Sequence, residues 1–147
     1  MSTRSLPTIL SVEFIPVEEM TLSPKRILAP GDTISALGNF TKLNLTEPAA
    51  CNTTSERTPN GLVYTTKITG AIHDEQNSGL QHRLQTIFHA FRLTDVYKNK
   101  YLVGIDKKPY PEIIFSPVND ANPSGIRAVN FEITWVSTLP PIDIISL

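Results

Sequence analysis

Between Val129 and Trp135 every second residue is apolar: Val129, Phe131, Ile133 and Trp135 alternate with Asn130, Glu132 and Thr134. Successive side chains of a strand leave opposite faces of the sheet, so this run specifies a strand with one buried face and places Trp135 in or beside the core. Twelve prolines are spread over the 147 residues. Proline removes a backbone donor and fixes φ, so it interrupts helices and interior strands alike. A chain punctuated in this way is limited to short extended pieces joined by turns. The expected fold is mainly β, an antiparallel β-sandwich or barrel with at most one short helix.

Other segments fit the same pattern. "TILSVEFIPV" alternates Leu10, Val12 and Phe14 with Ser11 and Glu13, and Pro7 and Pro16 bracket it in a way that suits a sheet edge. "GNFTKLNLT" reads as a strand, and so do "LVYTTKITGAIHD", with Leu62, Tyr64, Ile68 and Ile72 on one side, and Glu112 to Ser116. "EEMTLSPKRILAPGDTISALG" reads as an extended loop with one or two short strands. "EPAACNTTSERTPNG" is the most loop-like stretch and ends in the turn signal Pro59-Asn60-Gly61. The run from Gln81 to Phe91 fits both a helix and a strand; a strand from about Thr86 is favoured, with a helical turn before it. The expectation is six to eight strands in one β-rich domain, 1–147, with extended N- and C-terminal segments.

Net charge is −1 and charged residues make up 18% of the chain, below the usual share of about 25%. Such a chain has no long-range field for nucleic acid or an anionic membrane, and no basic stripe with interleaved aromatics is present. Neither partner is expected. The first residues, "MSTRSLPTILSVEF", hold no apolar run long enough for a signal peptide. The chain is therefore expected to be made in a reducing cytoplasm. The sequons at Asn39, Asn44 and Asn52 then read as chance matches in a Thr- and Asn-rich segment.

Catalytic patterns are missing. The lone Cys51 has no basic neighbour closer than Arg57 to lower its pKa. His73, His82 and His89 lack the close pairing of metal ligands. The pairs Glu18-Glu19 and Asp74-Glu75 are adjacent, so on a strand they point to opposite faces, whereas glycoside hydrolysis needs carboxylates across a cleft. No nucleophile elbow or phosphate-cradling glycine loop occurs. No catalytic, metal or cofactor-binding residue is assigned, no cofactor is expected, and the chain is read as non-enzymatic.

Three features remain. "FRLTDVYKNKYLVGI" forms a hairpin whose Lys98 and Lys100 project into water at the tip, with Asn99 suited to the left-handed conformation. The tail "PPIDIISL" is apolar at Ile142, Ile144, Ile145 and Leu147, the four candidate subunit-interface residues. It can fold back on its own sheet edge or add as a strand to a neighbouring subunit. Two long polar loops, Thr46 to Pro59 and Pro117 to Gly125, can carry contacts.

The order "YTTKITGAIHD", "FRLTDVYKNKYLVGI", "PEIIFSP", "GIRAVNFEITWVS" resembles small β-rich structural proteins of tailed bacteriophages: tail-tube, tail-terminator and connector subunits. In these a strand ends in a "tD.ng..ylvG"-like hairpin and a later strand closes the sheet; here Lys98-Asn99-Lys100 stands where the pattern has glycine. The resemblance spans Tyr64 to Ser137. It implies a virion component without a cofactor, assembled in the bacterial host cytoplasm into a ring or tube. Its partners would be copies of itself and other virion proteins. The rival expectation is a carbohydrate- or protein-binding β-sandwich module using Tyr97, Tyr101 and Tyr110 as contacts.

Overall fold

A computed structural model describes residues 2–23, 27–73, 79–117 and 128–144. In chain order the strands are β1 Ser2–Ser5, β2 Ile9–Pro16, β3 Thr21–Ser23, β4 Thr33–Leu37, β5 Thr41–Lys42, β6 Ala50–Thr58 and β7 Gly61–His73. A helix, α1 Leu80–Thr86, precedes β8 His89–Asp95, β9 Lys100–Val103, β10 Glu112–Pro117, β11 Ala128–Ser137 and β12 Ile142–Ile144. A single 3-10 turn, Val17–Glu19, follows β2. The fold is mainly β, two curled and packed sheets of sandwich or barrel type.

The first sheet has the order β1-β6-β7-β11-β10, all antiparallel. The alternation in "AVNFEITWVS" does what the sequence predicts: Val129, Phe131, Ile133 and Trp135 are buried. Ile68 pairs Ile133, which pairs Ile113, so the inner row crosses three strands. The outer face carries Thr54, Thr65, Lys67, Thr69, Asn130, Glu132 and Thr134, which are exposed or half-buried. Gly70 has a packing reason, because a Cβ there would lie 2.9 Å from Phe131 Cζ. The turn into β7 is closed by Gly61, whose φ of +115° suits glycine, and by the Thr58 hydroxyl, which donates to the Gly61 carbonyl at 2.8 Å.

The second sheet has the order β3-β4-β12-β9-β8-β2-β5, and β12 with β4 is its parallel pair. Central strands here are buried on both faces. Val12, Phe14, Phe91 and Leu93 fill one side, and Ile15, Ala90, Leu102 and Ile142 fill the other. Connecting segments cover that second side: a side chain at Gly38 would collide with Ile15 and sit against Glu19 and Met20. One hydrophobic cluster joins Trp135, Ile133 and Ile68 to Phe14, Phe91 and Leu102.

Several expectations are corrected. "ACNTTSERT" is not a loop but nine residues of β6, held between β1 and β7. Asn52, Thr54 and Glu56 take the outward face while Cys51 and Thr53 are buried on the inner one, where the Thr53 and Thr66 hydroxyls meet at 3.2 Å. Tertiary pairing on both sides overrides the loop-like composition. "GNFTKLNLT" yields only the two residues of β5 and an isolated bridge at Leu45. β2 is not an edge strand, since β8 and β5 flank it. A bulge between Ile9 and Ser11 breaks its alternation, leaving Leu10 54% exposed while Ile9 is fully buried. Among the described residues there are twelve strands rather than six to eight, because those of two to four residues are too short to show a period.

Candidate interaction surfaces

The hairpin tip is organised by Asp95, which is fully buried. Its Oδ1 accepts the backbone N–H groups of Tyr97 and Asn99, each at 2.9 Å, and its Oδ2 accepts the Tyr101 hydroxyl at 2.9 Å. Two backbone bonds close the loop, Lys98 N–H to the Asp95 carbonyl and Asp95 N–H to the Asn99 carbonyl, both 3.0 Å. A carboxylate holding three donors is a structural clamp. Burial and the neighbouring Asp95 push the Tyr101 phenol up, so it stays protonated and donating. The left-handed residue is Lys98, φ +68°, and not Asn99. Lys98 is exposed at the tip, as expected, whereas Lys100 is half-buried as the first residue of β9.

Other polar side chains are paired across the fold. Arg92 Nη2 meets Glu13 Oε2 at 2.7 Å and its Nε meets Oε1 at 3.1 Å, a two-point pair on neighbouring strands. The Phe40 ring lies under the guanidinium carbon at 4.1 Å. The buried Trp135 indole N–H donates to the Pro109 carbonyl at 3.0 Å, which ties the β9–β10 loop to the core.

The sequence-predicted site residues separate. Ile142 is buried and pairs Leu102, while Asp143 and Ile144 pair Thr33 and Ile34 of β4. β12 is thus an interior strand of its own sheet, and the fold-back alternative describes this chain, between two strands instead of at an edge. Ile145 and Leu147 lie outside the described residues, as do Asp74, Glu75 and all but Pro117 of the loop Pro117 to Gly125.

Among the described residues no group of His, Cys, Asp and Glu could hold a metal ion. His73 and His82 are exposed, and His89 is buried. Because a carbonyl can only accept, the 2.7 Å contact to the Ile87 oxygen puts a proton on His89 Nδ1. Burial lowers the His89 pKa below its ordinary value. Burial pushes the Cys51 thiol up to about 12, so it is a core residue and not a nucleophile.

Three tyrosines were candidates for a contact platform, and the fold scatters them. Tyr101 is buried on Asp95. Tyr97 is 73% exposed at the far end of β8, whereas Tyr110 stacks on Phe88, just before β8 begins, with ring centroids 4.8 Å apart. No helix among the described residues is long and apolar enough to cross a membrane.

The exposed apolar side chains that matter sit at the two ends of β8. At its start, Ile87 and Phe88 are each about half exposed (49% and 51%) and line a cleft of about 460 Å³ with Val17, Met20 and Tyr110. At its end, Val96 and Tyr97 are exposed, and so is Leu10 on the neighbouring strand β2, where the bulge turns it outward. Sequence reasoning named Tyr97 and Tyr110 as contact residues but not the apolar neighbours that complete each patch. Phe88 falls in the stretch that fits both helix and strand, where a strand from about Thr86 is favoured, and Leu10 is turned outward at the bulge. Comparison with known protein families, curated proteins and solved structures finds no match.

Proposed function

We propose that this chain is a non-enzymatic structural subunit of a phage-type virion or tail assembly, acting by self-association and docking to neighbouring subunits. The observation that carries the reading is the pair of exposed apolar patches at the ends of β8, around Phe88 and around Tyr97. Both project from a strand buried in the centre of a sheet, and that rigid base holds them in fixed relative positions. Large apolar side chains that remain exposed in clusters suit contact with another protein. The resemblance of Tyr64 to Ser137 to tail-tube, terminator and connector subunits supplies the class of assembly.

The contact surface differs from the first expectation. Ile142 completes the chain's own sheet, so it serves the subunit's stability and the patches take over the docking role. Light scattering of the intact chain between about 1 μM and about 1 mM tests the reading, a span that covers weak contacts. A mass rising to a defined oligomer is the expected result. A monomer mass at every concentration contradicts self-association.

A further inference from the structure

We infer that the two ends of β8 are the two halves of one head-to-tail contact, each subunit docking its Phe88 end against the Tyr97 end of the next copy. This rests on the assembly reading above and specifies its geometry.

The charged side chains lining the Phe88 cleft are Glu18 and Asp106, both acidic and exposed. Lys107 and Lys108 follow on the same loop and line a neighbouring cleft, which Asp106 also borders, but not the Phe88 cleft itself. At the other end, the tip Val96–Lys100 carries Lys98 and Lys100 and no acid. The carboxylate next to it, Asp95, is fully buried and committed to three donors, so it does not offset the lysines outside. One patch is therefore apolar with an acidic rim and the other apolar with a basic rim. Complementary rims fix which surfaces meet and disfavour the two like pairings, Phe88 end on Phe88 end and tip on tip.

Shape agrees with charge. The Phe88 end is concave, a cleft of about 460 Å³, while the Tyr97 end is a projecting hairpin tip whose tyrosine is 73% exposed. β8 runs seven residues between them, about 24 Å at the rise of an antiparallel strand. The two surfaces therefore lie at opposite ends of one interior strand. Joined head to tail without a two-fold axis, they propagate from copy to copy, closing into a ring or continuing as a filament.

The test uses two exposed-residue variants, Phe88→Ser and Tyr97→Ser, each checked for an unchanged thermal melt, in sedimentation velocity alone and mixed. Head-to-tail docking predicts that each variant alone loses self-association by at least tenfold. Mixed in equal amounts they form a 1:1 heterodimer that grows no further, because each supplies the end the other lacks. If Phe88→Ser fails to fold, Asp106→Lys replaces it, and pairing it with Lys98→Glu in one chain restores the association that each single reversal weakens. Variants that self-associate like the intact chain overturn the head-to-tail contact and leave the assembly reading standing. The same holds for a mixture that stays monomeric. An intact chain that never leaves the monomer overturns the assembly reading itself.

Discussion

The two sheets solve the same burial problem differently. In the first, buried and exposed residues alternate, with Ile133 inside and Glu132 and Thr134 at the surface. In the second, neighbouring residues are buried together: Ala90 with Phe91, and Tyr101 with Leu102 and Val103. The difference arises from cover. The outer face of the first sheet is open, whereas connecting segments around Met20 and Gly38 close over the second. A one-faced strand must keep polar residues on alternate positions, and a two-faced strand must not. The second sheet is the more enclosed of the two; apolar side chains emerge at the ends of its strand β8, and also at Ile114 and Val136 on the open face of the first sheet.

Alanine substitutions break this comparison most directly. Phe91→Ala and Leu102→Ala, on opposite faces of the second sheet, are each expected to cost about 3–5 and about 2–5 kcal/mol in urea unfolding. In the first sheet Ile133→Ala is expected to cost about 2–5 kcal/mol, while Thr134→Ala stays within about 0.5 kcal/mol. Equal costs at Ile133 and Thr134 would erase the distinction. Next in size is Asp95→Ala, which leaves the Tyr97 and Asn99 amides and the Tyr101 hydroxyl without their acceptor. A loss of about 2–3 kcal/mol is expected, with the hairpin amides exchanging faster. An unchanged midpoint would mean that water replaces the carboxylate.

His89 gives a smaller, pH-dependent effect. Its folded pKa lies below the ordinary value, which is about 6.5. Above that value both folded and unfolded chains carry it neutral, and its contribution is full. As pH falls below about 6.5 the unfolded chain takes up the proton first, so stability decreases until the folded-state pKa is passed. His89→Gln should flatten the fall of the denaturation midpoint as pH drops below about 6.5. The smallest expected change is a gain. Lys98→Gly relieves a left-handed lysine, and the greater unfolded-state freedom of glycine offsets part of that, leaving about 0.5 kcal/mol.

The two sheets also differ in how far they can be read in advance. β11, β10 and β7 are legible because one open face forces alternation, and Trp135 falls where its period places it. "HAFRL" and "YLVG" carry no alternation, since both faces are buried, so periodicity could not separate helix from strand between Gln81 and Phe91. The sequence does show that a turn lies at Asp95–Asn99, but not that Asp95 is its buried clamp, which depends on Tyr101 from the returning strand. Cys51 and Thr53 look like loop residues until β1 and β7 pair on either side of them. The candidate surfaces were the least legible, because they combine residues distant in sequence: Val17 and Met20 with Phe88 and Tyr110, and Leu10 with Val96.

Amide hydrogen exchange of the intact chain, compared at dilute and concentrated protein, tests the account most directly. It asks whether copies meet through the ends of β8 while β12 stays within its own subunit. The expected result is concentration-dependent protection at Ile87–Phe88 and at Val96–Lys98, with Ile142–Ile144 equally protected in both samples. Protection that appears in Ile142–Ile144 only on concentration, with both ends of β8 unchanged, would contradict it and return the contact to an exchanged C-terminal strand.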